Sequence, residues 1–237
     1  MVRFFSSSPA RVARLYMGWF GKLPAVGDFA GRGIPGTARE TVHEWIASGM
    51  ADLVREDPED WRAAYLVSPV WHFVVNAGIW DQYALAGCIA PSIDKVGRFS
   101  PLLALRAFED DIDDILPPRS RWLYQIDAGL RRIIGERIAV EDVPGVLGLT
   151  DAELEDGAAP EAVGGILSEL GISDEAADTH REWFSWPDLS ALFRERNNRS
   201  FWWAEPSPHL PPRQIIHRGP PDDVLFCLLM GGGWLND

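Results

Sequence analysis

The segment Gly18–Phe29 constrains the fold more than any other part of this 237-residue chain. It holds three glycines and a proline among aromatic residues, and its only charged residues are Lys22 and Asp28. Glycine permits backbone angles that other residues resist, and proline fixes one angle. The segment therefore predicts a short strand, Leu15–Phe20, that leads into a shaped loop, Gly21–Pro35, and a loop shaped in this way usually presents a functional surface.

Apolar periodicity predicts helices in the rest of the chain. A capping box formed by Thr37 and Glu40 precedes apolar residues that recur every three or four positions, which is typical of an amphipathic helix. A second strong stripe runs from Leu123 to Ile134 after Ser120 and stops at Gly135. Further helices are predicted at Asp60–Tyr65, Pro160–Leu170, Pro187–Arg194 and Asp222–Met230.

Short apolar runs bounded by turn residues predict strands at Val70–Val75, Tyr83–Ala90, Leu102–Phe108, Ser200–Ala204 and Arg213–His217. Helices placed between strands predict an α/β fold with helices on both faces of a sheet. Three consecutive strands without an intervening helix favour some antiparallel pairing. We therefore expect a three-layer αβα sandwich around a mixed, partly antiparallel sheet.

Composition divides the chain into three regions. Residues 1–15 contain three arginines and no acidic residue, and we expect them to form a disordered N-terminal extension, although they also resemble a transit peptide. Residues 16–237 are expected to form a single domain. Within it, twelve acidic residues and one basic residue lie between Val140 and Glu182, so residues 140–185 are predicted to be a variable insertion or subdomain. This acidic stretch is either a solvated surface or a docking face for a basic partner.

The overall charge and the cysteine content exclude several classes of protein. A net charge of −13 argues against nucleic acid as the main partner. Cys88 and Cys227 lie in apolar runs, which predicts buried thiols and a reducing, cytoplasmic compartment. No apolar run reaches the roughly 18 residues that a membrane span requires.

Common catalytic and cofactor motifs do not fit this sequence. Gly31–Gly36 matches the dinucleotide fingerprint G-x-G-x-x-G, but it follows a loop instead of a buried strand. Lys22 follows Gly21 as in a P-loop, but the next residue is Leu23 instead of serine or threonine. The five histidines are widely spread, and none has the spacing of a metal site. We therefore predict no catalytic residue, metal or cofactor.

A second shaped loop, Pro91–Leu102, links two predicted strands and carries charged residues. The only two lysines of the chain lie one in each shaped loop. If the loops converge, their charged side chains form one cluster, composed of Lys22, Asp28, Asp94, Lys95 and Arg98. Such a cluster is either an ion-pair network that holds the loops together or a ligand site.

Eleven tryptophans are many for a chain of this length. Some are expected in the core, and an exposed indole would form a hot spot for a protein partner. The candidates for partner-facing aromatic residues are Trp19, Trp71, Trp202 and Trp203.

Five motifs in order resemble the TagF family, also called ImpM, of proteins associated with type VI secretion. They are Gly18–Phe29; Ser68, Pro69, Trp71 and Phe73; Pro91, Ser92, Asp94, Gly97 and Arg98; Ser200, Trp202 and Trp203; and Arg218, Gly219 and Pro221. Their order and rough spacing agree with the family over about Tyr16–Trp234. The sequence departs from the usual family pattern at Trp19, where tyrosine or phenylalanine is more common.

The resemblance implies a bacterial cytoplasmic protein with an αβα fold that represses type VI secretion after translation. It implies binding to a forkhead-associated scaffold protein of the secretion apparatus and no enzymatic activity. The alternative that the residues leave open is a small-molecule or nucleotide-binding domain, or a degenerate enzyme, that uses the cluster of Lys22, Asp28, Asp94 and Arg98. The two hypotheses differ in geometry, because a ligand site requires a concave pocket with an unpaired polar group.

Overall fold

Seven strands form one open sheet in the computed structural model, which describes residues 15–108, 121–149, 198–205 and 213–231. The strands are β1 (Met17–Lys22), β2 (Phe29–Arg32), β3 (Trp71–Val75), β4 (Ala84–Ala90), β5 (Leu102–Phe108), β6 (Arg199–Ala204) and β7 (Arg213–Arg218). The helices in these ranges are α1 (Gly36–Glu56), α2 (Trp61–Val67), α3 (Arg121–Glu136), α4 (Val143–Val146) and α5 (Asp223–Met230), with a 3₁₀ turn at Val140–Asp142.

The strand order across the sheet is β2-β1-β5-β4-β3-β6-β7, and every neighbouring pair is antiparallel. The predicted α/β class and antiparallel pairing are confirmed, whereas the expected parallel component is absent among the described strands. The physical reason lies in the connections. Parallel neighbours require a long crossover, and the long connections here, from β2 to β3 and from β5 to β6, join strands that are not adjacent.

Helices cover both faces of the sheet and give the predicted three-layer arrangement. One hydrophobic core lies between the sheet and α1, α2 and α5, and a second lies between the opposite face and α3 and α4. Strand β4 is buried at all seven positions, as its continuous apolar sequence predicts for a central strand covered on both faces. None of the helices in the described ranges is both long and apolar enough to cross a membrane.

Two local predictions near the N-terminal loop are wrong. Strand β2 lies inside the predicted loop Gly21–Pro35; it is a four-residue edge strand, mostly exposed, so its sequence lacks a strand-like apolar pattern. The capping box of Thr37 is also absent. Helix α1 begins at Gly36 after Pro35, which occupies the N-cap position, so Thr37 lies within the first helical turn and makes no capping bond.

Local contacts and backbone angles explain where α3 ends and where α5 begins. Helix α3 continues past Gly135 to Glu136, and the next residue, Arg137, adopts a left-handed conformation with φ of 56°. Helix α5 is capped by Asp222, whose carboxylate accepts the backbone N–H of Leu225 at 2.9 Å. The predicted extension at residues 1–15 falls outside the described residues except for Leu15, and the predicted helices at 160–170 and 187–194 fall outside them entirely.

We predict that Gly49→Ala destabilises the fold by about 1–3 kcal/mol, because overpacking a tight contact forces backbone shifts. Gly49 on α1 contacts α5, and a Cβ atom there would lie 2.2 Å from Cγ of Phe226. Urea unfolding of the purified chain measures the change.

The matched control is Gly135→Ala on α3, where an added Cβ meets no atom within 4 Å. The control should be unchanged or more stable, because alanine is favoured over glycine within a helix. Equal stability of the two variants would contradict the close α1–α5 contact.

Candidate functional site

The two shaped loops meet at one end of the sheet, which is the condition that the sequence analysis set for a shared charged cluster. One loop joins β1 to β2 and the other joins β4 to β5. The backbone N–H of Lys95 donates to the carbonyl of Val26 at 2.8 Å, and the guanidinium of Arg98 donates to the carbonyl of Gly27. These contacts bring together residues more than sixty positions apart in sequence.

Asp94 is the centre of the contact. Its side chain is fully enclosed, with no exposed surface. One carboxylate oxygen accepts the backbone N–H groups of Val96 at 3.0 Å and Arg98 at 2.9 Å. The other accepts Nε of Arg98 at 2.7 Å and lies 3.1 Å from Nζ of Lys22. Burial would raise the pKa of Asp94, but these donors and the Lys22 ammonium outweigh it and hold the pKa well below its usual range.

Lys22 is buried at the end of β1, where only 6% of its surface is exposed. A buried ammonium is stable only when it is paired, and Asp94 supplies the countercharge. Nζ also lies 5.2 Å from the ring centroid of Phe29, a cation–π distance. The backbone carbonyl of Lys22 accepts the hydroxyl of Ser92 at 2.8 Å, which joins the two loops a second time.

Gly21 and Tyr65 also fix the contact between the two shaped loops. Gly21 has φ of 144°, and a Cβ atom there would lie 2.2 Å from the carbonyl oxygen of Pro101. Only glycine allows this approach of β1 to the second loop. The hydroxyl of Tyr65 on α2 donates to the carbonyl of Ser92 at 3.1 Å and accepts its N–H at 3.0 Å. The loops are therefore anchored to the sheet and to a helix.

The remaining two residues of the predicted cluster do not join it. Asp28 is exposed and accepts the N–H of the adjacent Phe29 at 2.8 Å. Lys95 is exposed, and its contact with the other loop is through its backbone. Lys22 and Arg98 therefore each pair with Asp94, and this network corresponds to the loop-holding alternative.

The four tryptophans predicted to face a partner are buried, so this prediction is corrected. Their exposed fractions range from 0% to 6%, for Trp19, Trp71, Trp202 and Trp203. The indole N–H of Trp71 donates to the carbonyl of Leu229 in α5 at 2.8 Å. The sheet is covered by helices on both faces, so alternating aromatic residues of a central strand pack into both cores.

A second buried polar cluster, which the sequence analysis missed, lies between β3 and α3. His72 is fully buried, and its Nε2 lies 3.0 Å from the carboxylate of Asp127. Its Nδ1 lies 3.9 Å from the carboxylate of Glu205. Burial would raise the pKa of Asp127, but the contacts with His72 and Arg131 outweigh it and lower the pKa. An acidic residue inside the apolar stripe of α3 was the available signal for this cluster.

Cys88 lies directly opposite His72 in the β3–β4 register, so cysteine, histidine and aspartate are neighbours. The arrangement differs from a catalytic triad in the state of the thiol. Cys88 is fully buried, its pKa is raised well above its usual value by burial, and its Sγ donates to the carbonyl of Leu123 at 3.5 Å. A protonated, enclosed thiol is a structural residue and a poor nucleophile.

Within the described ranges, no group of three or more histidine, cysteine or acidic side chains is placed to hold a metal ion.

We predict that Asp94→Asn lowers stability at pH 7 and flattens the loss of stability in acid. Because the folded pKa of Asp94 lies below the unfolded value of about 3.9, its contribution is complete above that value. The contribution is lost as the pH falls from there through the folded pKa. Urea unfolding from pH 7 to about pH 2 measures both effects, because the loss begins only below the unfolded pKa.

Asp28→Asn serves as the control, because Asp28 is exposed and outside the ion-pair network. It should leave stability at pH 7 within about 0.5 kcal/mol of the wild type. Parallel stability curves for the wild type and Asp94→Asn across this pH range would contradict the assigned role of the network.

Comparison with known proteins places this architecture in a family. A family model described as TagF N-terminal domain, Type VI secretion system-associated, matches residues 18–147, more than half of the chain. The crystal structure of PA0076 from Pseudomonas aeruginosa PAO1 matches with a TM-score of 0.69 and 26% identity, covering 91% of this chain and 94% of that chain. A search of curated proteins found no match. The chain therefore belongs to the TagF N-terminal domain family of type VI secretion system-associated proteins.

Proposed function

We propose that this protein is a non-enzymatic regulator that represses type VI secretion after translation by binding the forkhead-associated scaffold protein of the apparatus. Its membership of a type VI secretion-associated family gives the biological context. The observation that carries the proposal is the internal pairing of Lys22, Asp94 and Arg98, which commits these charges to holding two loops in place.

The alternative function, small-molecule or nucleotide binding by the same cluster, has less support. A ligand site needs polar groups that are open to the ligand. Both oxygens of Asp94 are already occupied by donors, and Lys22 is buried against Asp94 and Phe29. Asp28, the fourth member of the proposed ligand set, lies outside the network.

The anchored loops leave an exposed tip, which we define as residues 25–28 and 95–98. Val96 is 68% exposed at this tip although it is apolar, and its own N–H is fixed by Asp94. Asp28 and Lys95 are exposed beside it. A rigid surface loses little conformational entropy on binding, which favours its use as a contact site. We therefore place the scaffold contact at the loop tip.

A cytoplasmic location is part of the proposal. The structure leaves Cys88 and Cys227 as free cysteines, which suits a reducing compartment. The proposal requires that the scaffold protein, or its binding region, is also in the cytoplasm.

We predict that the purified chain binds the purified forkhead-associated scaffold with a Kd in the micromolar range or tighter, measured by isothermal titration calorimetry. The interface includes Val96, so Val96→Asp should weaken binding at least tenfold by placing a charge in the contact.

In bacteria, production of the wild-type chain should reduce secreted type VI substrate in the medium while cellular levels of the apparatus components stay constant.

Val224→Asp is the matched control, because Val224 on α5 is also 68% exposed but is not one of the residues that define the tip. It should bind the scaffold like the wild type. Absence of binding by the folded wild-type chain would overturn the proposed function. Equal binding by Val96→Asp and the wild type would overturn only the placement at the tip.

A further inference from the structure

An open cleft of about 470 Å³ lies beside the start of α1 and the loop between β3 and β4. It is lined by Tyr16, Pro35, Thr37, Trp80, Asp81, Gln82 and Tyr83. None of these residues belongs to the ion-pair network of the loops or to the cluster around His72.

Aromatic side chains form much of the cleft and are held in place by the core. Trp80 is 5% exposed and contacts Trp45 and Phe73, with ring centroids 5.2 Å and 5.6 Å apart. Tyr16 and Tyr83 are half-buried beside it. The faces of such rings carry negative partial charge and attract cations.

Asp81 places a carboxylate among these rings. One carboxylate oxygen accepts the hydroxyl of Tyr16 at 2.6 Å, and the other accepts the backbone N–H of Tyr83 at 3.3 Å. Burial and the nearby Asp81 raise the pKa of Tyr16, so its phenol remains a donor. A carboxylate has about four lone-pair sites, so these two bonds leave acceptor capacity on both oxygens.

The charge of the cleft favours a cationic ligand. Among the described residues that line it, Asp81 is the one with a formal charge, and none is basic. The chain as a whole carries a net charge of −13, which raises the local concentration of cations. A carboxylate with two available oxygens next to aromatic rings matches a guanidinium, which is planar, stacks on rings and donates two parallel hydrogen bonds.

We propose that this cleft binds a guanidinium group, supplied by an arginine side chain of a protein or by free arginine. This site is separate from the loop tip and does not depend on the scaffold interaction. Its ligand is recognised by Asp81 through charge and by the half-buried Tyr16 and Tyr83 through their rings, while Trp80 supports the cleft from the core.

The test is a nuclear magnetic resonance titration of the full ¹⁵N-labelled chain with N-acetyl-arginine amide. The control ligand is N-acetyl-citrulline amide, which has the same shape without the charge. We expect saturable shifts of the Asp81, Gln82 and Tyr83 amides with a Kd on the order of 10 mM, the range for one exposed ion pair plus ring contacts. Citrulline amide should give no saturable shift.

Two variants test the site in different ways. Asp81→Asn removes the charge but keeps an acceptor for Tyr16, and it should abolish saturation. Gln82→Arg changes an exposed residue, so it should preserve the fold while its own guanidinium competes with the ligand. Asp28→Asn, an exposed carboxylate at the loop tip, should bind arginine amide like the wild type.

Further arms identify the source of the guanidinium. The sequence carries Arg11 and Arg14 shortly before Tyr16, so a variant with serine at both positions is titrated beside the wild type. Tighter binding of the amide than of free L-arginine indicates a protein side chain, and the reverse order indicates the free amino acid. The proposal would be overturned if arginine amide gave no saturable shift in the wild type or in the variant with serine at positions 11 and 14. Equal shifts with citrulline amide would also overturn it.

Discussion

The buried carboxylate of Asp94 is the interaction on which this end of the molecule depends. It binds the ammonium of Lys22, the guanidinium of Arg98 and two backbone N–H groups, so a charge without access to water is fully compensated. Removing one partner of such a network leaves an uncompensated buried charge, which is strongly destabilising. The network therefore joins β1 and the β4–β5 loop into one rigid unit, and the loop tip is its exposed surface.

The same principle recurs in the second buried polar cluster, where His72 of β3 meets Asp127 of α3. Asp127 is held between His72 and Arg131, and Glu205 lies within 3.9 Å of the other imidazole nitrogen. This cluster fixes a polar contact inside an otherwise apolar core. Both clusters use buried charge for structure. The two binding surfaces that we propose are therefore exposed ones, the loop tip and the Asp81 cleft.

Part of this architecture could be predicted because it depends on local sequence. Strands β3, β4 and β5 are short apolar runs bounded by turn residues, and the structure places them within one residue of the predicted limits. Strand β2 could not be predicted, because an exposed edge strand has no apolar pattern and forms only through pairing with β1. Alternation in β6 left Trp202 either in the core or facing a partner, and the sequence could not decide between them, since α1, whose Trp45 contacts its ring, comes from a distant part of the chain. In the candidate site, the sequence identified the charged residues of the two loops. It could not tell that Lys22, Asp94 and Arg98 form the network whereas Asp28 and Lys95 do not, because that depends on contacts between residues far apart in sequence.

The central claim is that the Asp94 network fixes the loop tip as a preformed binding surface for the scaffold. Amide hydrogen exchange of the chain, free and bound to the scaffold, tests it most directly. The N–H groups of Lys95, Val96 and Arg98 should exchange slowly in the free chain, because each is hydrogen-bonded across or within the loops. Binding should slow the exchange of residues 25–28 and 95–98 further. Fast exchange of these amides in the free chain, or protection by the scaffold only at another surface, would contradict the account.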